Sequence, residues 1–103
     1  MNYPIRLREE AERDITLAAS WYEEQREGLG QEFLDELLAT LQNIPEHPHA
    51  YPVLHRDVRR ALMRRFPFGV FFQTTPCDIV VVAVFHGSRH PRGWRRRAYG
   101  PSI

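Results

Sequence analysis

The chain has 103 residues, enough for one folded domain and too few for two independent cores. Its 43% hydrophobic and 26% charged residues are typical of a globular protein and exclude an intrinsically disordered chain. The longest apolar run, Ile79 to Phe85, falls far short of the roughly 20 residues of a membrane-spanning helix. With no apolar signal region at the N-terminus and one cysteine, Cys77, we expect a cytoplasmic protein without a disulfide framework.

The charge is strongly segregated along the chain. Residues 1–50 hold 4 Arg against 11 Asp and Glu, whereas residues 51–103 hold 10 Arg against 2 Asp and Glu. The two halves can pair with each other, or the basic half can face a polyanion or an acidic protein. All 14 basic residues are arginine, so mechanisms that need a lysine side chain are excluded.

The first half predicts a strand followed by two helices. Apolar residues alternate over 3–8, which is typical of a short strand with one buried face. Helical spacing from Glu9 to about Glu27 predicts the first helix, with acidic residues in its first turn. A glycine link at 28–30 separates it from a second amphipathic pattern over 33–44, which Pro45 ends.

The second half predicts strands. Residues 45–57 hold three prolines and no period, so we expect an irregular surface connection. Val58–Phe66, Phe68–Gln73 and Asp78–His86 are three candidate strands, close enough in sequence for an antiparallel meander. The basic C-terminal tail, 87–103, predicts a loop, a short extra strand or a mobile arm.

These elements define an α+β domain spanning 1–103, with the helical hairpin packed on one face of the sheet and the other face free for a partner. The last strand is apolar on both sides, which places it inside the sheet. The predicted core packs the hairpin against this strand, and consists of Ile15, Phe33, Leu37, Leu41, Val81 and Ala83.

His86 is the first candidate for chemistry because it ends the most buried strand. Alternation places it on the side of Val80, Val82 and Val84, and the loop that follows carries Arg89, His90 and Arg92. Imidazole titrates near neutrality and guanidinium stabilises phosphoryl charge, so an anion site or an acid–base pair is one interpretation. The alternative is that His86 bonds a backbone carbonyl at the end of the sheet while Arg89 pairs with an acidic helix residue.

Arginines and one tryptophan form the second candidate. Arg59, Arg60, Arg64 and Arg65 flank an apolar triplet, so two project to each face of their strand. Together with Arg95-Arg96-Arg97 they indicate a polyanionic or acidic partner, although solvated or internally paired arginines are the commoner outcome. Trp94 either stacks on a base or anchors the tail to the core.

The remaining candidates are weaker. His47, His49 and His55 lie in the proline-rich segment, where no regular element fixes a metal geometry, so surface positions are the favoured interpretation. Cys77 has no neighbouring base and is expected to be a passive thiol. No phosphate-binding loop or helical metal motif is present in the sequence, and we expect neither a metal nor a cofactor.

Taken together, the motifs resemble the RelE/ParE superfamily of bacterial toxins, especially its ParE or "plasmid stabilisation" branch. The resemblance spans nearly the whole chain and rests on the order and spacing of its parts. They are Ala11-x-x-Asp14-Ile15, Trp21-Tyr22, Gly28-Leu29-Gly30 with Phe33 and Leu37, His47-Pro48, Arg64-Arg65-Phe66-Pro67-Phe68 before Phe71-Phe72, Val84-Phe85-His86-Gly87-x-Arg89, and Pro91-x-x-Trp94.

This resemblance implies a growth-inhibiting toxin of a type II toxin–antitoxin system, neutralised by a cognate antitoxin. ParE-like members inhibit DNA gyrase by trapping cleaved DNA, and a non-enzymatic gyrase inhibitor is the favoured expectation here. RelE-like members cleave messenger RNA on the ribosome, and a lysine-free version would use Arg64 or Arg65 together with His86 and Tyr99. A non-toxic binding module is the third alternative, and direct nucleic-acid binding stays open. The residues expected to contact the target or the antitoxin are Arg60, Arg64, His86, Arg89, Arg92, Trp94 and Arg95.

Overall fold

A computed structural model describes residues 3–89 and 91–100 and confirms the α+β class. In this part of the chain the sheet has five strands in the order β1-β5-β4-β3-β2. β1 runs parallel to β5, and the other neighbours are antiparallel. The elements are β1 (Ile5–Leu7), α1 (Glu9–Gln25), α2 (Leu29–Asn43), β2 (Val53–His55), β3 (Val58–Leu62), β4 (Phe68–Thr74), β5 (Ile79–His86) and α3 (Arg92–Tyr99).

The helical hairpin, α1 and α2, lies close to its predicted bounds. Glu9, Glu10 and Glu12 occupy the first turn of α1, where negative charge stabilises the helix dipole. Gly28 precedes α2 with a φ of 87°, a left-handed conformation that glycine adopts without strain. The link is therefore 26–28, because Gly30 already belongs to α2.

Four strands follow the hairpin, not the three predicted. The additional strand, β2, lies within 45–57, which was expected to be irregular throughout. It is too short to show a period, and two 3-10 turns precede it at Ile44–Glu46 and Pro48–Ala50. Arg59 holds this segment to the sheet by donating to the Tyr51 carbonyl at 2.7 Å. The next strand, β3, ends at Leu62, short of the predicted Phe66, because the chain turns before Phe68.

The predicted loop, strand or arm after Gly87 is wrong for residues 92–99, which form α3. Trp94 is 4% exposed and its ring stacks on Phe71, with centroids 5.3 Å apart. Gly93 allows the close approach, because a Cβ there would lie 2.9 Å from the Phe85 ring. The helix α3 therefore covers the second face of the sheet. The expectation that this face is free was wrong.

A bulge in β5 changes which residues face the hairpin. Phe71 lies opposite Ala83 and Phe72 opposite Val81, so Val82 is an extra residue and the alternation reverses there. Ala83 consequently packs on the α3 side, and its predicted place in the hairpin core is wrong. Simple alternation predicted that His86 shares a side with Val80 and Val82. The bulge places it on the opposite side from them.

The hairpin core otherwise contains the predicted residues. Phe33 and Leu37 are buried in one cluster with Val81, and Ile15 and Leu41 pack against it partly buried. The core on the α3 side gathers Val58, Phe71, Val80, Val82, Ala83, Phe85 and Trp94. One apolar cluster therefore packs on each face of the sheet. The candidate site residues lie at the ends of its strands.

Candidate functional site

His86 lies exposed at the C-terminal end of β5, opposite Phe68. Its ring packs edge-on to the Phe68 ring at 5.5 Å. The Ser88 backbone N–H donates to Nδ1 at 3.0 Å, and the Ser88 hydroxyl lies 2.8 Å from the same nitrogen. The imidazole is thus fixed by its own loop, with Ser88 as its partner instead of the predicted backbone carbonyl.

Arg64 and Arg65 lie in the turn between β3 and β4, at the same end of the sheet as His86. Their backbone N–H groups donate to the Glu36 carboxylate at 2.5 and 3.1 Å. The Arg65 guanidinium also pairs with Glu32 at 2.8 Å, and Arg26 pairs with the same carboxylate. Hydrogen bonds from Arg65 and Arg26 lower the pKa of Glu32. Arg65 is therefore ion-paired at the surface, with 61% of its side chain exposed, and the Arg64 side chain is exposed as well.

Tyr99 lies at the opposite end of the sheet. Its hydroxyl donates to an Asp57 carboxylate oxygen at 2.5 Å, and Gln73 donates to the same oxygen at 3.1 Å. Burial, followed by the bond to Asp57, raises the pKa of Tyr99. Gln73 is five residues along β4 from Phe68, or about 17 Å at the rise of an antiparallel strand. The structure does not bring Tyr99 together with Arg64, Arg65 and His86.

A basic face surrounds α3. Arg89 lies 3.9 Å above the Phe85 ring, Arg95 lies 5.4 Å from the Trp94 ring centre, and Arg56 lies 4.8 Å from that of Tyr99. Arg60, on β3, extends its stem across Gly69, where a Cβ would lie 3.0 Å from it. We call these four residues, Arg56, Arg60, Arg89 and Arg95, the basic face. Of the other predicted contacts, Arg92 is exposed on α3, and Trp94 lies in the core.

Asp14 and Arg97 form a partly buried ion pair that the sequence did not predict. Arg97 donates two bonds to the Asp14 carboxylate, at 2.5 and 3.0 Å, and the Val84 N–H donates to it at 3.0 Å. The Asp14 side chain is only 8% exposed. The signal in the sequence was the position of Asp14 next to the apolar stripe through Ala11 and Ala18. Its partner, Arg97, could not be identified because no helix was predicted for the tail.

Two large apolar side chains stand one turn apart on the outside of α1. Leu17 is 71% exposed and Trp21 57% exposed. Neither belongs to the stripe Ala11, Ile15, Ala18 and Tyr22, and this departure was visible in the sequence. An exposed tryptophan beside a leucine marks a surface suited to a protein partner.

The weaker candidates do not converge. His55 packs against Trp94 and Tyr99, whereas His47 and His49 are exposed in the segment before β2. Cys77 is an exposed free thiol. Within 3–89 and 91–100 no group of three or more His, Cys, Asp or Glu side chains could hold a metal ion. No helix in this part of the chain is long and apolar enough to cross a membrane.

Comparison with known proteins agrees with this fold. The family model of the ParE toxin of the type II toxin–antitoxin system parDE matches residues 5–91. Toxin ParE2 from two Mycobacterium tuberculosis strains, CDC 1551 / Oshkosh and H37Rv, is 30% identical over 95 residues, covering 88% of each chain. The chain therefore belongs to the ParE toxin family.

A solved structure described as the chromosomal ParDE toxin–antitoxin system from P. aeruginosa has the same fold. Its TM-score is 0.69 at 13% identity, and the match covers 82% of this chain and 95% of that one. The fold is therefore shared at a level of identity where few individual side chains are kept.

Proposed function

We propose that this ParE-family toxin acts in the cytoplasm as a single domain that inhibits DNA gyrase and is neutralised by a cognate antitoxin. The observation that carries the proposal is the family match over residues 5–91, together with the ParDE-like fold. Gyrase inhibition and neutralisation are what membership of this branch implies.

The geometry favours inhibition by binding over ribonuclease chemistry. General acid–base catalysis needs its groups within hydrogen-bond reach of one reacting phosphate. His86 and Tyr99 instead lie at opposite ends of the sheet, and the Arg65 guanidinium is engaged by Glu32. A surface that docks on gyrase needs no such convergence, which supports the non-enzymatic inhibitor.

Leu17 and Trp21 are the side chains that we expect an antitoxin helix to cover. Buried aromatic anchors dominate the affinity of such interfaces, and charged residues at the rim mainly set the association rate. Trp21→Ala should therefore weaken antitoxin binding by about 2 kcal/mol or more, which is roughly thirtyfold in Kd. Titration calorimetry with the product of the neighbouring reading frame measures this change.

Trp21→Phe is the matched control, because it keeps an aromatic ring at the same place and should lose much less affinity. Both variants should melt close to the parent protein, since the side chain is exposed. An antitoxin that binds Trp21→Ala as tightly as the parent would place its anchor elsewhere. No complex at micromolar concentration would contradict the neutralisation itself.

Induction in cells tests the function as a whole. The protein alone should arrest growth with DNA-damage signalling and cell elongation, and coexpression of the antitoxin should relieve the arrest. Arrest accompanied by messenger cleavage at codon sites would favour the RelE-like ribonuclease. Growth without arrest, despite a folded protein, would favour a non-toxic binding module.

A further inference from the structure

The basic face is separated from nearly all of the acidic residues of the molecule. Ten of the thirteen Asp and Glu residues lie between Glu9 and Glu36, in the hairpin and its link, and Asp78 is the last acidic residue of the chain. The hairpin core and α3 lie on opposite sides of the sheet. A net charge of only +1 therefore conceals one strongly positive side.

In the part of the chain that the structure describes, the arginines of the basic face take no part in ion pairs. Ion pairs within 3–89 and 91–100 engage five other arginines, and none of Arg56, Arg60, Arg89 and Arg95. The Arg60 Nε is also buried without a hydrogen-bond partner in this part of the chain. Burial, then Arg95 and Arg56, lowers the pKa of His55, which lies beside these two guanidinium groups. Asp57, whose pKa is lowered first by its hydrogen bond from Tyr99 and also by Arg56, is an acidic neighbour at one end of this face. Within the described residues, Arg60, Arg89 and Arg95 have no carboxylate at ion-pair distance.

Aromatic rings and a glycine position these guanidinium groups. Phe85, Trp94 and Tyr99 support Arg89, Arg95 and Arg56, while Gly69 leaves room for the stem of Arg60. A guanidinium that rests on a ring loses less freedom on binding than a solvated one and can still donate to phosphate oxygens. The face is therefore partly preorganised for an anion.

The distribution of apolar side chains favours nucleic acid over protein as the occupant. Three large rings on this side, Phe71, Phe85 and Trp94, are at most 4% exposed, and the Tyr99 ring is partly buried. Leu62, at the end of β3, is an exposed apolar side chain on this side. Protein interfaces need apolar anchors at their centre, whereas DNA interfaces are more polar and strongly positive. The exposed apolar pair of this molecule, Leu17 and Trp21, lies on the hairpin.

We propose that the basic face binds the phosphate backbone of duplex DNA directly. The proposal deepens the proposed inhibition of gyrase, on which its biological meaning rests, because the substrate of gyrase is DNA. The toxin would contact the enzyme and the DNA held by it at once, with α3 toward the duplex. Binding of this kind reads no sequence, since guanidinium–phosphate contacts carry none.

The test uses the full chain and a fluorescent DNA duplex, with anisotropy measured between about 50 and 200 mM salt. The parent protein should bind two unrelated duplex sequences alike. Arg89→Gln with Arg95→Gln should weaken both by at least roughly tenfold and reduce the slope of log affinity against log salt by about 2. The matched control is Arg13→Gln with Arg26→Gln, which removes equal charge from ion-paired arginines on the hairpin and should bind as the parent does.

Three results would overturn the proposal. The first is that the protein binds neither duplex at micromolar concentration. The second is that both double variants weaken DNA binding equally, because equal weakening would reflect the net charge of the protein and not this face. The third is binding of poly-L-glutamate as tight as that of DNA and equally sensitive to Arg89 and Arg95, which would assign the face to an acidic protein. Gyrase and antitoxin are absent from these mixtures, so failure here leaves gyrase inhibition itself untouched.

Discussion

Replacing Asp14 with alanine is expected to reduce the free energy of unfolding by about 3–5 kcal/mol, because it leaves a largely buried guanidinium without its counter-ion. The carboxylate also takes the place of a missing strand. β1 pairs with β5 only as far as Leu7 opposite Val81, and beyond that point Asp14 accepts from the Val84 N–H while Arg97 donates to the Val82 carbonyl. Removing the Asp14 carboxylate therefore removes both the hydrogen bond to the β5 backbone and the ion pair that holds α3.

Urea unfolding of Asp14→Ala, Arg97→Ala and the double variant measures the pair. The double variant should lose clearly less stability than the two single losses combined, because neither partner is then left as an unpaired buried charge. The matched surface pair, Glu9 with Arg13, should contribute less than about 1 kcal/mol. Additive losses, or a change below about 1 kcal/mol in Asp14→Ala, would contradict this role.

Phe33→Ala is expected to cost about 3–5 kcal/mol, the range for emptying a large aromatic site in a core. Phe33 is fully buried and lies at the centre of an aromatic cluster, 5.3 Å from Tyr22, 5.3 Å from Phe66 and 5.2 Å from Phe68. Edge-to-face and stacked contacts of this kind add to the loss beyond the buried area. The measurement is again denaturant unfolding.

Leu38→Ala is the matched control for Phe33→Ala. It lies on the same helix with 55% of its surface exposed, so its loss should stay within about 0.5 kcal/mol. A loss below about 1 kcal/mol for Phe33→Ala would mean that α2 does not seat this ring in the core. A large loss for Leu38→Ala would mean that the exposed side of α2 is misassigned.

Long periodic segments could be predicted from the sequence, and short or contact-dependent ones could not. The hairpin repeats its apolar spacing over several turns, and β5 is apolar on both faces, so both were found close to their observed bounds. β2 has three residues, too few for a period. The helix α3 contains Gly93 and four arginines, and it is stabilised by tertiary contacts of Trp94 and Arg97 that no local pattern announces.

The candidate site shows the same division. His86 was correctly placed at the end of a buried strand, because strand ends follow from alternation and turn residues. The side of the sheet that His86 faces was predicted wrongly, because one extra residue at Val82 reverses the alternation of the strand. The distance between His86 and Tyr99 depends on where α3 docks, so the RelE-like set that the resemblance implied groups residues that the fold separates.

The central claim is that toxicity comes from a binding surface directed at gyrase. Its most direct test is the rate of DNA supercoiling by purified gyrase in the presence of this protein and of His86→Ala. The parent protein should inhibit supercoiling, and His86→Ala should inhibit within a few-fold of it, because the proposed inhibition by binding requires no proton transfer by His86. The claim would be contradicted if the protein left supercoiling unchanged at concentrations at which it cleaves messenger RNA on ribosomes. In that case His86→Ala would slow the messenger cleavage by roughly a hundredfold or more.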